Sequence, residues 1–122
     1  MQERLQQRIL VVDDQRLIAD TLALILKQSG YEAQAVYSGE SAVESAWAHE
    51  PDVMITDVVM GNMNGIEAAI RVSEHLPKCR IILFSGQAAA AELVYNAEMS
   101  GHTFELLMKP IHPTVLLEHL HA

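Results

Sequence analysis

Four places along the chain carry side chains that could do chemistry together. An acidic pair, Asp13–Asp14, follows the apolar run "RILVV"; Asp57 follows "VMIT"; Ser85 follows "RIILF"; Lys109 follows "FELLM". Each polar group stands where a stretch fit for burial stops, and a charge at the edge of a core is costly unless something pairs with it. Three carboxylates brought together repel one another and take up protons unless a cation offsets them. Lys109 can offset one charge. A divalent ion can offset the rest, and an all-oxygen donor set with few protein ligands suits Mg²⁺, which keeps several of its waters. A metal beside a carboxylate, with a lysine and a hydroxyl in reach of phosphoryl oxygens, is equipment for moving a phosphoryl group onto that carboxylate.

That chemistry needs a scaffold that gathers residues nearly a hundred positions apart. "RILVVD" at 8–13 is a continuous apolar run of strand length, as expected for a strand buried on both faces. Asp14 then caps a helix from about 15 to 29, with Leu17, Ile18, Thr21, Leu22, Ile25 and Leu26 at helical spacing and Gly30 as its stop. A weaker strand, 31–37, leads to Ser38 as the cap of a helix carrying Ala42, Val43, Ala46 and Trp47 on one face, ended by Pro51. The third strand spans 52–57, and a helix from about 65 to 76 is closed by Pro77. The fourth strand spans 80–85, and a helix at 88–100 turns Ala90, Leu93, Val94 and Ala97 inward before Gly101. The fifth strand spans 104–108, and Pro113 opens a last helix with Leu116, Leu117 and Leu120.

Five strands alternating with five helices predict an α/β fold with a parallel sheet covered on both faces. Right-handed crossovers without closure favour an open doubly wound sheet over a barrel, in the order 2-1-3-4-5. Strands 1, 3, 4 and 5 then lie side by side, about 4.8 Å apart, and their carboxyl ends form one rim. Asp13, Asp14, Asp57, Ser85 and Lys109 all belong to that rim.

Composition narrows the setting. The 122 residues suit one domain, taken here as 1–122, and half of them are hydrophobic, enough for a single core. Eight Lys plus Arg against 16 Asp plus Glu give a formal charge of −8, which argues against direct nucleic-acid binding. Cys79 is the only cysteine, so no internal disulfide forms and a reducing cytoplasm is the natural setting. No apolar stretch approaches the ~20 residues of a membrane span, and "MQERLQQR" has no signal-peptide core. The six histidines lack the spacing of a helical metal site and read as surface residues. Cys79 reads as a passive residue before strand 4, and Trp47 as core or partly covered packing.

The chain resembles the receiver domains of bacterial two-component response regulators, a flavodoxin-like fold, along essentially its whole length. The resemblance is carried by "VVDD" at 11–14, "TDVVMGNMNG" at 56–65, "FSG" at 84–86 and "KP" at 109–110. It implies that Asp57 is the phosphoacceptor, and that Asp13, Asp14, Asp57 and the backbone carbonyl of Val59 hold Mg²⁺. It implies that Ser85 hydrogen-bonds a phosphoryl oxygen, that Lys109 pairs with the phosphate, and that the Lys109–Pro110 peptide is cis. The implied partners are a sensor histidine kinase or a histidine phosphotransfer protein as donor, and a downstream protein target. The expected activity is self-phosphorylation and slow self-dephosphorylation rather than turnover of a substrate. Val59 and Gln87 stand where the family flanks the approach of the hydrolytic water.

The chain departs from the family at two places. Gly61 replaces the usual proline, which frees the loop after Asp57. Leu106 replaces the usual switch aromatic three residues before the lysine, and Phe104, two residues earlier, faces the same side by strand period. Two other classes share parts of this pattern. An aspartyl-phosphate phosphohydrolase of the haloacid dehalogenase type places a second Asp two residues after the nucleophile, where this chain has Val59. A flavin carrier of the same fold cradles phosphate on a Ser/Thr/Gly loop after strand 1, where this chain has "DDQR". A degenerate receiver serving only as an interaction module would not need the complete site. The expected oligomeric state is a monomer or weak dimer.

Overall fold

The computed structural model describes residues 7–61, 63–86, 89–102, 104–109 and 112–121. The strands are β1 (Arg8–Val12), β2 (Glu32–Val36), β3 (Val53–Asp57), β4 (Arg80–Ser85) and β5 (Glu105–Met108). They alternate with α1 (Arg16–Gln28), α2 (Gly39–His49), α3 (Gly65–His75), α4 (Ala89–Met99) and α5 (Pro113–His121). All strand pairs are parallel and the order is β2-β1-β3-β4-β5.

Strand period divides the core in two. Leu10, Val12, Met54, Ile81 and Leu83 face α2, α3 and α4, whereas Ile9, Val11, Val53, Ile55, Ile82 and Phe84 face α1 and α5. That is why β1, β3 and β4 read as unbroken apolar runs: both faces of each strand are covered. Each such side chain, removed from water, contributes about 1.5–3 kcal/mol.

The helix starts follow the capping rules in part. Ser38 accepts the Ser41 amide at 3.0 Å and Asn64 accepts the Glu67 amide at 2.8 Å. The expected Asp14 cap on α1 is not formed. Gln15 is the N-cap residue without a side-chain bond, and Asp13 Oδ1 instead accepts the Gln15 amide at 2.9 Å. Asp13 is the last residue held by the sheet, so its short side chain already lies under that amide, and Asp14 is left to solvent.

The phase of α1 also differs from the expectation. Ala19, Ala23 and Leu26 are buried, while Leu17 is 79 % exposed and Thr21 is exposed. Small alanines let the helix approach the sheet closely, which rotates Leu17 out to the rim. On α4, Val94 and Ala97 are buried as expected, Leu93 is 37 % exposed, and the side chain of Ala90 lies outside the described residues. Trp47 is not core. It is 54 % exposed, and its ring leans on His75 of α3 at 5.4 Å between centroids.

Candidate functional site

The rim is built by strand ends that stop in step. Asp57 is the last residue of β3 and pairs in register with Phe84, one residue before Ser85; Ser85 pairs with Met108, one residue before Lys109. Asp13 follows β1 directly, and its amide donates to the Val36 carbonyl at 3.2 Å. The Lys109 amide donates to the Ser85 carbonyl at 3.0 Å, which carries the ladder one residue beyond β5.

The side chains converge accordingly. Lys109 Nζ lies 3.2 Å from Asp57 Oδ2 and 3.4 Å from Asp13 Oδ2. Its ammonium also stands 4.9 Å from the centre of the Phe84 ring. Asp13 and Ser85 are essentially sealed from solvent, Asp57 is 8 % exposed, and Asp14 is open. Burial pushes the Asp57 carboxyl above its usual range; Lys109 opposes that rise and Asp13 adds to it. One ammonium does not neutralise this cluster.

A second close approach fixes the loop beyond Asp57. The Gly65 amide donates to the Val58 carbonyl at 2.8 Å, and a Cβ on Gly65 would collide with the Asp57 carbonyl oxygen. Only glycine lets the start of α3 sit this tightly under the acidic residue. Val59 lies in the turn after β3 with its side chain 39 % exposed.

One ligand oxygen from each of Asp13, Asp14 and Asp57 lies within 4.8 Å of the others. A hard, all-oxygen, net-negative set open to solvent on the Asp14 side fits a small divalent ion with waters in its remaining positions. The structure brings the Asp13, Asp14, Asp57 and Lys109 side chains together, and ends β4 at Ser85, in register beside them. The Lys109–Pro110 peptide and Gln87 lie outside the described residues. The site of the missing aromatic is resolved in part: Leu106 and Phe104 pack on the same core face, and Phe104 is stacked on His102 at 6.2 Å, 11° from parallel.

The comparisons with known proteins agree with this geometry. The family model described as "Response regulator receiver domain" matches residues 9–121. The chain belongs to the response-regulator receiver family. Among curated relatives, the DNA-binding response regulator MtrA of Mycobacterium bovis is 26 % identical, over 98 % of this chain. The chain spans about half the length of that relative, 51 %. The chemotaxis protein CheY4 of Vibrio cholerae is 27 % identical with a TM-score of 0.82, covering 95 % of this chain and 97 % of that one. A CheY-like receiver domain protein from Methanospirillum hungatei is 25 % identical with a TM-score of 0.85, covering 95 % and 91 %. The family is one of signalling switches that work with histidine kinases and downstream effectors. No helix among the described residues is long and apolar enough to cross a membrane.

Sequence reasoning missed one cluster at the other end of the sheet. Arg80 donates to both Glu105 oxygens at 2.6 and 2.8 Å, and also to the carbonyls of His119 and Leu120. His119 Nε2 lies 2.6 Å from Glu105 Oε1. His119 is therefore no free surface residue. The signal was a basic and an acidic residue opening neighbouring strands, with α5 returning to the same end. Burial pushes the thiol of neighbouring Cys79 up to about 11.

Proposed function

We propose that residues 1–122 form one receiver domain that acts as a phosphorylation-dependent switch, with Asp57 as phosphoacceptor. The observation that carries this reading is the shared lysine: Lys109 lies within 3.4 Å of both Asp13 and Asp57, with Asp14 in the same cluster. Asp13, Asp14, Asp57 and the Val59 carbonyl are the groups that would hold Mg²⁺. Bound there, the ion supplies positive charge to the oxygens of the transferring phosphoryl group. An Asp57 carboxylate oxygen forms the new bond to phosphorus as the bond from phosphorus to the donor imidazole nitrogen breaks. Lys109 and the Ser85 hydroxyl hold the phosphoryl oxygens in place. The donor is a histidine kinase or a phosphotransfer protein, and the setting is cytoplasmic, a reading supported by the single cysteine, Cys79.

Acetyl phosphate with Mg²⁺ tests the assignment. The parent gains phosphoryl mass, and Asp57→Asn, which keeps the shape without the nucleophilic oxygen, gains none. An Asn variant labelled as fully as the parent would sink it. Turnover of a phosphate ester would instead indicate a hydrolase, against which Val59 already speaks.

The acyl phosphate biases a two-state equilibrium that reaches the α4–β5–α5 face. This face bears Tyr95, Met99, Met108 and Val115, each more than half exposed, beside exposed Glu92, Glu98 and Glu118. From Ile81 to Ala122 the only Lys or Arg is Lys109, which is engaged in the site. Glu105 is taken by Arg80 and is no part of the free charge. Two copies of this face would meet with like charges, which disfavours association. Phosphorylation therefore does not produce a salt-bridged dimer through this face, which instead docks a basic or apolar partner surface. Light scattering on the beryllofluoride-treated chain decides: a stable dimer that dissociates on charge changes at Glu92 or Glu98 would refute this.

A further inference from the structure

Two helices meet the turn that follows Asp57, and they are held to it in different ways. The start of α3 is clamped to the strand end itself, where the Gly65 amide donates to the Val58 carbonyl and Gly65 lies against the Asp57 carbonyl oxygen. The start of α2 rests instead on the turn. A Cβ on Gly39 would lie 2.8 Å from the Met63 carbonyl oxygen and 2.9 Å from Met63 Cβ. Backbone passes against backbone there, and glycine at the first position of α2 is what permits it.

The turn has room to change shape between fixed points. Val58 is held at its base, its amide donating to the Phe84 carbonyl at 3.3 Å, and Met60 and Met63 pack on the core half under α2, α3 and α4. Gly61 is exposed, with open space around it, so the chain can pivot there while the two methionines stay packed. Packed elements of this kind shift between discrete arrangements instead of deforming smoothly.

Further along, the two helices touch through Trp47 and His75, whose ring centroids are 5.4 Å apart with the planes at 49°. Trp47 lies roughly two turns along α2 from Gly39, about 12 Å, and His75 is the last residue of α3. We propose that the Met63–Gly39 contact is a coupling device. Filling the acidic rim moves the turn after Asp57, Met63 carries the shift to Gly39, and α2 slides against the clamped α3, which changes the Trp47–His75 contact. The inference rests on the reading of Asp57 given above, with the Val59 carbonyl among the groups that hold the ion. It adds a responsive face at α2–α3, separate from α4–β5–α5. Coupling is reciprocal, so a change at Gly39 acts back on the affinity of the rim.

The full chain with beryllofluoride and Mg²⁺ tests this. Fluorine NMR reads the bound beryllofluoride, and backbone amide signals of Gly39–Ala42 read the start of α2. Fluorescence reads the far end, with one source because Trp47 is the only tryptophan. Filling the rim is expected to shift the amide signals and to change the Trp47 emission. In Met63→Ala the rim still fills, but both responses are lost. In Gly39→Ala the added Cβ displaces Met63 and weakens beryllofluoride binding about fivefold. A rim that fills while either the Gly39–Ala42 signals or the Trp47 emission stays unchanged overturns the coupling and leaves the reading of Asp57 standing. Absence of bound beryllofluoride removes both. Full responses in a folded Met63→Ala variant, or binding by Gly39→Ala as tight as in the parent, also overturn the proposal.

Discussion

The two ends of the sheet treat charge in opposite ways. At the carboxyl rim, three carboxylates share one ammonium, and burial raises the pKa of Asp57. At the other end, a single carboxylate, Glu105, receives a guanidinium through two bonds and a ring nitrogen through a third, and its pKa falls. The first arrangement is incomplete without another cation. The second is complete as it stands, and it also ties the last turn of α5 to β4 through the His119 and Leu120 carbonyls. A binding site has to leave charge uncompensated so that a ligand can compensate it, whereas a structural clasp has no such need. The difference lies both in the count of cations per carboxylate and in burial, which is the larger cause of the Asp57 rise.

Removing the one cation at the rim is the strongest way to break this comparison. Lys109→Met keeps the length of the stem and leaves Asp13 and Asp57 facing each other. Taking one partner from a fully buried pair costs roughly 3–5 kcal/mol. Lys109 is 26 % exposed, so a loss of about 2 kcal/mol at neutral pH is expected. Urea unfolding with and without Mg²⁺ checks the cause. If the loss is electrostatic, Mg²⁺ recovers much of it; a loss of equal size in both conditions would make the lysine a packing residue.

The clasp gives a smaller loss with an opposite dependence on its surroundings. Glu105→Gln keeps one acceptor oxygen but removes the charge that Arg80 and His119 share. A bidentate pair more than a third exposed on the Glu side is worth about 1 kcal/mol at most. The bonds from Arg80, then those from His119, hold the Glu105 carboxyl below its usual pKa in the folded chain. Its contribution is therefore complete above the unfolded value, near ~4.3, and is lost as pH falls through the lowered folded value. Parent and variant should differ in unfolding free energy at pH 7 and converge in acid, with no effect of Mg²⁺ on the difference. A gap that persisted in acid would mean that the substituted amide is poorly packed, so that the loss is not one of charge.

Much of the rim was legible in the sequence because strand period and strand order are coarse properties. "RILVV", "VMIT" and "RIILF" can be buried on both faces only in the middle of a parallel sheet, and their following residues then have no other place to go. The caps and helix phases were less legible, because they turn on single contacts. Asp13 and Asp14 are both good capping residues, and only the end of β1 decides that Asp13 takes the Gln15 amide. Leu17 and Ala19 both lie on plausible inward faces of α1, and the closeness of the helix to the sheet favours the alanine. Trp47 is at helical spacing with buried Val43 yet lies on the α3 side, against His75. The Arg80–Glu105–His119 cluster joins three elements, and its signal, a basic and an acidic residue opening neighbouring strands, is spread over residues far apart in sequence.

The finest test of the comparison concerns the lifetime of the phosphorylated rim. Hydrolysis of an acyl phosphate needs a water in line with phosphorus, and Val59, two residues after Asp57 and 39 % exposed, occupies the position that the resemblance to the family places beside that approach. Its side chain cannot hydrogen-bond the water and, placed there, would shield part of the site, so self-dephosphorylation should be slow. Val59→Asn adds a donor and an acceptor of similar size, and phosphate loss should quicken several-fold, which corresponds to less than about 1.4 kcal/mol in the barrier. Val59→Ala separates the two causes, because it removes the shield without offering a hydrogen bond. The expected order of rates, followed by loss of label from Asp57, is Asn above Ala above Val. Glu105→Gln, acting at the far end, should match the parent. If the Asn variant is no faster than the parent, Val59 does not control the water, and if Glu105→Gln speeds the loss, the two ends are coupled and the contrast between them fails.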